Sequence, residues 1–548
     1  MSTAPVDECI QSGLTASTPH SLSQAEFIEL QSIQIAVANK SASLPAISET
    51  EIIDPRWVYG TASVAAVSFL MFHVCQMNFC DPDMWHEMSL FREALFIGRI
   101  PTEDCFAYTP TVSPSIHHEW GSGAIFYAVA TMFGTGGIMI LKYALMAAVV
   151  AGCRWCARRR GAGASIFLTV APAMALFSSY GFTTIRAQVF TLVLLTILLC
   201  FLEVDRCGGR WWIALWLPLH VIWLNVHAGF VVGAGLMALH ACEQIIRRRP
   251  FWHFVPIGAA LAALVFVNPY GVQYLPYLMH GLTMARPLIV EWRPLWQHDF
   301  AVFSLYLVSL VPIGYAVRQL GLRRLTGILV LAATAYAALR HTRHLSLYCV
   351  VWTCYVPGYL QQTRVGTLVD RFFQQYGRLV TQVSVAVTIF CMFHVIPAAP
   401  WCLVIPTTNA QSEQGLVCYP VGAVQYLEST DFRGNLMLPF ETGGYAMWKL
   451  HPHAKVSLDG RYEVAYQPGV LEEHLILFGA KRGWSDVLTK YPTDAVIVPS
   501  LSRLSAAMPT MIGWTQTYHD GVYEVYTRPG FTLPRMELNP TDVRASLP

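Results

Sequence analysis

The sequence predicts an α-helical polytopic membrane protein with about eleven transmembrane helices and a small C-terminal α/β domain. Hydrophobic residues make up 54% of the 548 residues and charged residues only 13%, with a mean hydropathy of +0.43. A soluble domain carries about a quarter charged residues, so this composition excludes that class. Apolar stretches of roughly 17 to 22 residues recur from Trp57 onward, and each is long enough to cross a ~30 Å hydrocarbon layer.

Three regions differ in composition. Residues 1–55 are rich in Ser, Thr and Ala, and no basic region is followed there by an apolar core, so we expect no cleavable signal peptide and predict a disordered cytoplasmic tail. Residues 56–400 form the predicted transmembrane domain. Residues 401–548 have the pattern of short strands alternating with helices, which predicts an extracytoplasmic α/β domain.

The basic residues indicate how the spans are oriented. If the N-terminus is cytoplasmic, every Arg cluster between the spans falls on the cytoplasmic side, as is typical of an inner (plasma) membrane protein. An odd number of spans then places the C-terminal domain outside. The predicted spans are 57–79, 134–153, 163–180, 187–204, 211–226, 229–246, 252–268, 301–318, 325–339, 345–360 and 379–398.

The large outer loop, residues 80–133, has an unusual composition. Its two ends, "MWHEMSLFREALFIG" and "HHEWGSGAIFYAVATMFG", have apolar residues at helical spacing, which predicts two amphipathic helices on the membrane surface. A loop rich in Pro, Thr and Ser joins them. Its acidic and His residues therefore gather beside the lipid headgroups, and they include Asp81, Asp83, His86, Glu87, Asp104, His118 and Glu119.

Cations and hydrogen-bond donors end three further spans on the same face. They occur in "SYGFTTIRAQ", "WLNVHAGF" and "ALRHTRHLS", and ionisable groups concentrated on one side of a helix bundle indicate a functional site. A phosphate group is a suitable ligand for such cations and hydrogen-bond donors. The net charge of only +2 argues against nucleic acid as a partner. The donors assigned to the outer cavity are Arg186, Asn225, His227, Arg340, Arg343 and His344, with His341 beside them.

A series of motifs resembles one family. The motifs are Asp-x-Asp-x-Trp-His at residues 81–86, "GRIPTED" with "FAYT", "HEW", "NVHAGF", "NPYG" followed by "EW", and "GGYAMW" with "VSLDGRYEVAY". In order and spacing they resemble bacterial membrane proteins of the GT-C glycosyltransferase superfamily over about residues 57 to 530. The chain therefore looks GT-C-like in its transmembrane domain.

The resemblance implies an inverting transferase that takes a sugar from a polyprenyl-phosphate donor on the outer face of the membrane. It places an acid at the junction of the first span and the large loop, which is Asp83 or Asp81 here. We favour Asp83 because it stands one turn from Trp85 and His86. The chemistry of sugar transfer requires the same groups, since an attacking hydroxyl needs a carboxylate to accept its proton and a departing phosphate needs cations to stabilise its charge. Arg340 and Arg343 are preferred over Arg186 for the phosphate, and His344 is added to them.

Four further assignments leave alternatives open. His117, His118 and Glu119 are candidate ligands of a divalent metal, and we favour the alternative of interfacial packing and hydrogen bonding because adjacent His side chains do not share a helix face. Asp104 is either a second acid or a cap of its loop. Glu291, in "RPLIVEWRPLW", belongs to a loop that closes over substrate or anchors at the interface. Metal dependence stays undecided, and no other cofactor is expected.

The C-terminal domain has no glycine-rich phosphate loop, so we assign it no nucleotide. Asp459 and Arg461 resemble a family motif for acceptor contact, and the alternative is a buried ion pair that holds a turn. Cys80 with Cys105 and Cys402 with Cys418 are hypothesised disulfides on the oxidising side.

Two other functions stay open. A transporter is expected to show two similar halves, which the sequence lacks, whereas a non-catalytic scaffold or subunit is able to keep this architecture without activity. Membrane lipid, the lipid-linked sugar donor and an acceptor are the expected partners. The sequence identifies neither the sugar nor the acceptor.

Overall fold

The computed structural model describes residues 54–75, 78–175, 181, 184–284, 286, 289–408, 417–538 and 547. Nearly all of the predicted cytoplasmic tail, residues 1–53, lies outside them, as do residues 176–180 at the end of the third predicted span. Within the described residues the transmembrane region is helical, and a sheet follows near the C-terminus. The predicted class, a helical membrane protein with a small C-terminal α/β part, is therefore confirmed.

Each predicted span coincides with a helix. Five of these helices are long and apolar enough to cross a membrane: α1 (Pro55–Val74), the second half of α3 (Trp120–Arg159), α5 (Gln188–Arg206), α10 (Phe300–Leu320) and α14 (Gly377–Val395). The others are shorter: α4 (Ala164–Ala175), α6 (Trp212–Val226), α7 (Phe230–Ile246), α8 (Phe254–Leu264), α11 (Ile328–Arg340) and α12 (Leu345–Gln361). The number of membrane crossings therefore stays a prediction.

Helix α12 is the centre of the bundle. Fifteen of its residues, from Leu345 to Leu360, are buried, although its composition is no more apolar than that of its neighbours. It packs against α3, α4, α5, α10 and α11. A helix that is buried all round belongs inside a bundle.

Both segments that were predicted to form surface helices are helical, and their position at a membrane surface stays a prediction. The first is α2 (Pro82–Ile97), which begins at the N-cap Asp81 and ends at the left-handed Gly98. The second is the first part of α3, and Gly134, with φ of 61° and ψ of −156°, separates it from the membrane-spanning part. Only glycine adopts this backbone conformation without strain, so Gly134 marks the bend between the two parts of α3. Helices α9 (Tyr274–Thr283) and α13 (Arg364–Gln375) lie in segments where no helix was predicted.

The C-terminal sheet has six strands in the order β2-β1-β3-β5-β4-β6. Strand β1 (Gly434–Met437) pairs in parallel with β2 (Ala454–Val456) and β3 (Ala495–Pro499). The second half is antiparallel from β3 to β5 (Tyr523–Thr527) and on to β4 (Thr515–His519), and β6 (Met536–Glu537) joins β4 in parallel. The helices of this part are α15 (Val421–Ser429), α16 (Phe440–Leu450), α17 (Val470–Phe478), α18 (Trp484–Lys490) and α19 (Arg503–Ala507).

The sheet region is joined to the membrane part through a shared core. Trp85 of α2 is fully buried and packs edge-on against Tyr419 and Tyr445 at ring-centroid distances of 5.9 and 5.1 Å. Gly444 of α16 lies against the start of α2, since an added Cβ there would lie 3.3 Å from the Pro82 carbonyl oxygen. Because large aromatic rings interlock here, the C-terminal domain sits rigidly over the start of α2.

The two hypothesised disulfides are wrong, since Cys80, Cys105, Cys402 and Cys418 are all free thiols. Cys80 is buried where the chain pairs with Ile185, and its sulfur donates to the carbonyl oxygen of Asp81 at 3.7 Å. Cys105 lies next to Phe106, whose backbone carbonyl accepts a hydrogen bond from the backbone N–H of Val456 in strand β2. Cysteines that were paired by their position in the sequence therefore lie in different packing environments.

Candidate functional site

Two carboxylates stand at the start of α2. Asp81 accepts a hydrogen bond from the Asp83 backbone N–H at 3.1 Å, so it caps the helix, and Pro82 follows where no backbone donor is needed. Asp83, two residues on, is half-buried, and its carboxylate accepts no hydrogen bond from any described residue. It is therefore available to a substrate.

Both carboxylates have raised pKa values. Burial raises the pKa of Asp81 to about 7, helped by the charge of Asp83 and opposed by Arg186. Burial likewise raises the pKa of Asp83 to about 6, while Arg186 and Arg343 favour its ionised form. Carboxylates whose pKa lies near neutral are suited to accept a proton in a reaction.

Arg186 is the first cation beside these acids. It precedes α5, lies 3.8 Å from the Asp81 carboxylate and donates to Glu291 at 2.7 Å and to Gln188 at 2.6 Å. Burial opposes its charge, but Glu291 and Asp81 outweigh burial and raise its pKa further. The predicted residue Glu291 thus belongs to the site as the partner of Arg186.

Arg343 is the second cation, and it has no such partner. Its guanidinium lies 4.7 Å from the centre of the Trp292 ring, and Arg286 lies over the same ring at 4.5 Å. Among the residues that the structure describes, no side chain accepts a hydrogen bond from the Arg343 guanidinium. Burial and the nearby Arg186 lower its pKa. A half-buried, unpaired guanidinium is a ready anion-binding group.

Two of the residues predicted to bind phosphate are placed elsewhere. Arg340 is the last residue of α11, and its side chain is exposed. The backbone becomes extended at His341, so Arg340 and Arg343 do not lie on one continuous helix. The preference for the pair Arg340 and Arg343 over Arg186 is therefore corrected. His344 contacts the Ala337 carbonyl at 3.3 Å and lies edge-on to Trp292, so it supports that ring rather than facing the acids.

A second cluster of acids and imidazoles lies deeper, between α2 and the start of α3. Glu119 lies 3.3 Å from the imidazole of His118 and 3.5 Å from that of His227. Although burial alone would raise the pKa of Glu119, these imidazoles outweigh it and lower that pKa. Glu87 is the opposite case, since burial and the charge of Glu119 raise its pKa well above the usual value. The pKa of Glu119 is thus lowered, while that of the neighbouring Glu87 is raised.

The orientation of His227 follows from its hydrogen bonds. Its Nδ1 accepts from the Gly229 backbone N–H at 2.9 Å and lies 2.8 Å from the Thr191 hydroxyl, which itself accepts from Trp223. The proton of the neutral ring is therefore on Nε2, which faces Glu119. His118 is oriented by the hydroxyl of Tyr277 at 2.6 Å.

The residues that could hold a divalent cation here are His86, Glu87 and Glu119. One ligand atom from each lies within 4.8 Å of the others, and the buried Nδ1 of His86 and one oxygen of Glu87 have no partner among the described residues. Carboxylate oxygen with imidazole nitrogen suits several divalent metals. His86, Glu87 and Glu119 also line a cavity of about 40 Å³, enough for an ion or a water.

Close backbone approaches make this arrangement possible. A Cβ at Gly123 in α3 would lie 2.3 Å from the Glu87 carbonyl oxygen, so only glycine lets the two surface helices meet. A Cβ at Gly460 would lie 3.4 Å from the Asp83 carboxylate, which places the C-terminal domain directly beside that acid.

Several predicted site residues have structural contacts instead. Trp85 is enclosed by aromatic rings in the core. Asn225 accepts from Trp120 and donates to the carbonyls of Val221 and Val267, so all its hydrogen-bonding groups are used. It ties the start of α3 to the ends of α6 and α8.

Asp104, Asp459 and Arg461 form one buried network. Arg461 donates to Asp104 at 2.7 Å and to Asp459 at 2.6 Å, and Asp104 also accepts from the backbone N–H of Phe106 and Ala107. Burial would raise the pKa of Asp459, but Arg461 lowers it well below its usual value. These fully paired groups clamp the outer loop to the C-terminal domain, which favours the alternative reading of Asp104 as a cap and of Asp459 with Arg461 as an ion pair.

Sequence reasoning missed three residues of this site, Gln188, Tyr277 and Arg286, and it included Glu87 among the acids of the outer loop without giving it a role. Glu87 follows His86 in the acidic segment, and that proximity was the available signal. Arg286 precedes "PLIVEW" by one residue, and its position in the same loop as Glu291 was a weaker one. Gln188 and Tyr277 reach the site only through tertiary packing.

The sequence matches no family model and no curated protein. Among solved structures, the Archaeoglobus fulgidus oligosaccharyltransferase in its apo form aligns with 87% of this chain and 75% of its own, at 11% identity and a TM-score of 0.52. The same protein in complex with Zn and sulfate covers 86% and 74% at 13% identity and a TM-score of 0.47. ArnT from Cupriavidus metallidurans bound to undecaprenyl phosphate covers 87% and 99% at 12% identity and a TM-score of 0.48. The chain has the fold of GT-C membrane glycosyltransferases, as its motifs predicted.

Proposed function

We propose that this protein is a membrane glycosyltransferase that moves a sugar from a polyprenyl-phosphate-linked donor to an extracytoplasmic acceptor, with inversion at the anomeric carbon. The observation that carries the proposal is that a carboxylate without a described partner, Asp83, and a guanidinium without one, Arg343, lie in the same half-buried cluster, near enough for the charge of Arg343 to act on Asp83. The GT-C fold supports the same class of activity.

Asp83 is the proposed general base. The acceptor hydroxyl attacks the anomeric carbon, its proton passes to the Asp83 carboxylate, and the bond from that carbon to the phosphate oxygen breaks with its electron pair going to the phosphate. A pKa of about 6 leaves Asp83 mostly ionised at neutral pH yet basic enough to accept a proton. Asp81 is less suited to the role because its carboxylate caps α2 and faces Arg186.

Arg343 is the proposed principal phosphate ligand, with Arg186 and Arg286 at its sides. The phosphate develops negative charge as the bond breaks, and fixed cations aimed at that charge stabilise the transition state. Arg186 already shares Glu291, and Arg286 donates to Glu463 at 2.8 Å, so Arg343 alone among the three lacks a described acidic partner. A bound phosphate would supply the negative charge that Arg343 lacks among the described residues.

The deeper cluster of His86, Glu87 and Glu119 is the proposed acceptor-side group, with or without a divalent cation. The lowered pKa of Glu119 favours a hydrogen-bond acceptor there, and the raised pKa of Glu87 favours a donor, so the two carboxyls can bind hydroxyl groups in complementary ways. Where a cation binds, it would polarise an acceptor oxygen, and Glu87 would have to release its proton.

The proposed orientation puts this site on the outer face of the plasma membrane. A single Cys introduced at Ser500 and one at Arg159 should label from opposite sides of the membrane. Labelling from the same side would contradict an outer site.

The test of the function uses a deletion strain complemented with the wild-type or the Asp83→Asn protein. We expect mass spectrometry to show that the lipid-linked sugar donor accumulates and that its glycan product is missing with Asp83→Asn, while Arg340→Ala, an exposed control, restores both. If Asp83→Asn, Arg343→Ala and Glu119→Gln each restore the wild-type glycans, the chain is a non-catalytic scaffold of the same fold.

A further inference from the structure

Three chemically different side chains converge on the outer rim, away from Asp83. They are Glu93 on α2, Cys105 in the loop between the surface helices and His451 at the C-terminus of α16, and we refer to them as the rim cluster. One ligand atom from each lies within 4.8 Å of the other two. They come from three separate segments, so only the tertiary structure assembles them.

The geometry of the rim cluster is well restrained. An imidazole nitrogen of His451, Nε2, lies 3.0 Å from the Glu93 carboxylate, and the two side chains are only 10% and 15% exposed. The ring of His451 packs on Phe106 at 4.7 Å, and its Nδ1 is buried with no partner among the residues described. A buried imidazole nitrogen without a partner is costly, and it indicates that a ligand is missing.

The donor atoms of the rim cluster are of the kinds that zinc binds, and no described group uses the Nδ1 of His451. Burial, together with Asp104 and Glu93, raises the pKa of Cys105 to about 12, so the metal-free thiol keeps its proton. A protonated thiol is a poor nucleophile, which argues against a redox role for Cys105.

We propose that the rim cluster binds a zinc ion, with the Cys105 sulfur, a Glu93 oxygen and an imidazole nitrogen of His451 as ligands and water in the fourth position. Zn²⁺ takes this set of sulfur, nitrogen and oxygen donors in tetrahedral geometry. Tetrahedral ligands at about 2.0 to 2.3 Å from the ion stand roughly 3.3 to 3.6 Å apart, which small side-chain movements achieve here. On binding, the thiol releases its proton to solvent and the thiolate bonds to the metal.

The zinc would fix the position of the C-terminal domain over the reacting carboxylate. Cys105 adjoins Asp104, Asp104 binds Arg461, and Gly460 next to Arg461 lies beside Asp83. A metal that joins α2, the loop and the end of α16 therefore restrains the wall of the site without touching substrate. This site is separate from the group of His86, Glu87 and Glu119, which contains no sulfur.

The test is cobalt titration of the purified, chelator-treated full chain in nanodiscs. We expect one equivalent of Co²⁺ to produce a thiolate-to-metal charge-transfer band that Zn²⁺ then removes. Cys105→Ser should abolish the band, and Cys402→Ser, which alters an exposed thiol elsewhere, should leave it intact. His451→Gln removes a direct ligand and should weaken the affinity for Zn²⁺ by more than the roughly 10- to 100-fold that loss of an outer partner of a ligand costs.

A second measurement needs no variant. X-ray absorption of the wild-type chain with one equivalent of Zn²⁺ should show a single sulfur neighbour at about 2.3 Å. A zinc environment without sulfur, or a cobalt band that persists in Cys105→Ser, overturns the proposal. Neither result depends on sugar transfer, so the rim site and the proposed glycosyltransferase activity can fail independently.

Discussion

Replacing Asp83 with Asn should abolish most of the activity without weakening the fold. If Asp83 is the general base, transfer should fall by about 10²- to 10⁴-fold. The wild-type kcat/KM should rise with pH through about 6, because only the ionised carboxylate accepts a proton, and the Asn variant should lose this rise.

The effect on stability follows from the same pKa. Burial moves the pKa of Asp83 from 3.8 to about 6, which corresponds to up to about 3 kcal/mol. Since the folded-state pKa is raised, the folded protein binds this proton more tightly. The resulting stabilisation is complete below about pH 4 and is lost as the pH rises through about 6. At pH 7 the ionised carboxylate therefore destabilises the fold, and Asp83→Asn should have an equal or higher melting temperature.

The assay combines two readouts on purified protein in nanodiscs. Turnover is measured from pH 5 to 8 with the donor that accumulates in the deletion strain, and thermal unfolding is followed by tryptophan fluorescence. Asp81→Asn is the matched control, because Asn also caps helices and its activity should stay within about tenfold of wild type. Wild-type turnover by Asp83→Asn would move the base to Asp81 or Glu119, and a much lower melting temperature would show that the carboxylate holds structure.

The remaining predictions concern charge and packing. Arg343→Ala should weaken binding of undecaprenyl phosphate in nanodiscs by roughly 10- to 150-fold, since a charge-assisted contact contributes about 1.5–3 kcal/mol. The control is Arg340→Ala, which alters an exposed residue and should bind like wild type. Equal binding by both variants would contradict the proposed phosphate site. Gly123→Ala should cost about 1–3 kcal/mol in thermal unfolding because its Cβ would meet the α2 backbone, while Gly136→Ala, which meets nothing within 4 Å, should not. Arg461→Met leaves two buried carboxylates unpaired and should cost about 3–5 kcal/mol, seen as loss of folded protein by size-exclusion chromatography; an unchanged melting temperature would contradict the clamp.

Helix α2 and its surroundings show which features a local sequence pattern predicts and which depend on folding. Its start was predictable, because Asp81 before Pro82 and an apolar helical pattern identify a capped surface helix. The position of Glu291 was not, since a loop more than a hundred residues away is brought to Arg186 only by folding. The exposed Arg340 illustrates the limit of local pattern: two Arg three residues apart suggested one site, but the helix ends between them.

The membrane class, the helices of the predicted spans, the two helical segments of the outer loop and the acids at their ends all follow from the sequence alone. Hydrophobic periodicity and caps act within a few turns of chain, so these features are local. Tertiary structure alone decided which polar groups are paired and which are free. Asp104 and Arg461 neutralise each other across more than three hundred residues, while Asp83 and Arg343 stay unpaired among the described residues. The physical reason is that burial and charge pairing depend on which side chains the packed core brings within a few ångströms, and no local pattern contains that information.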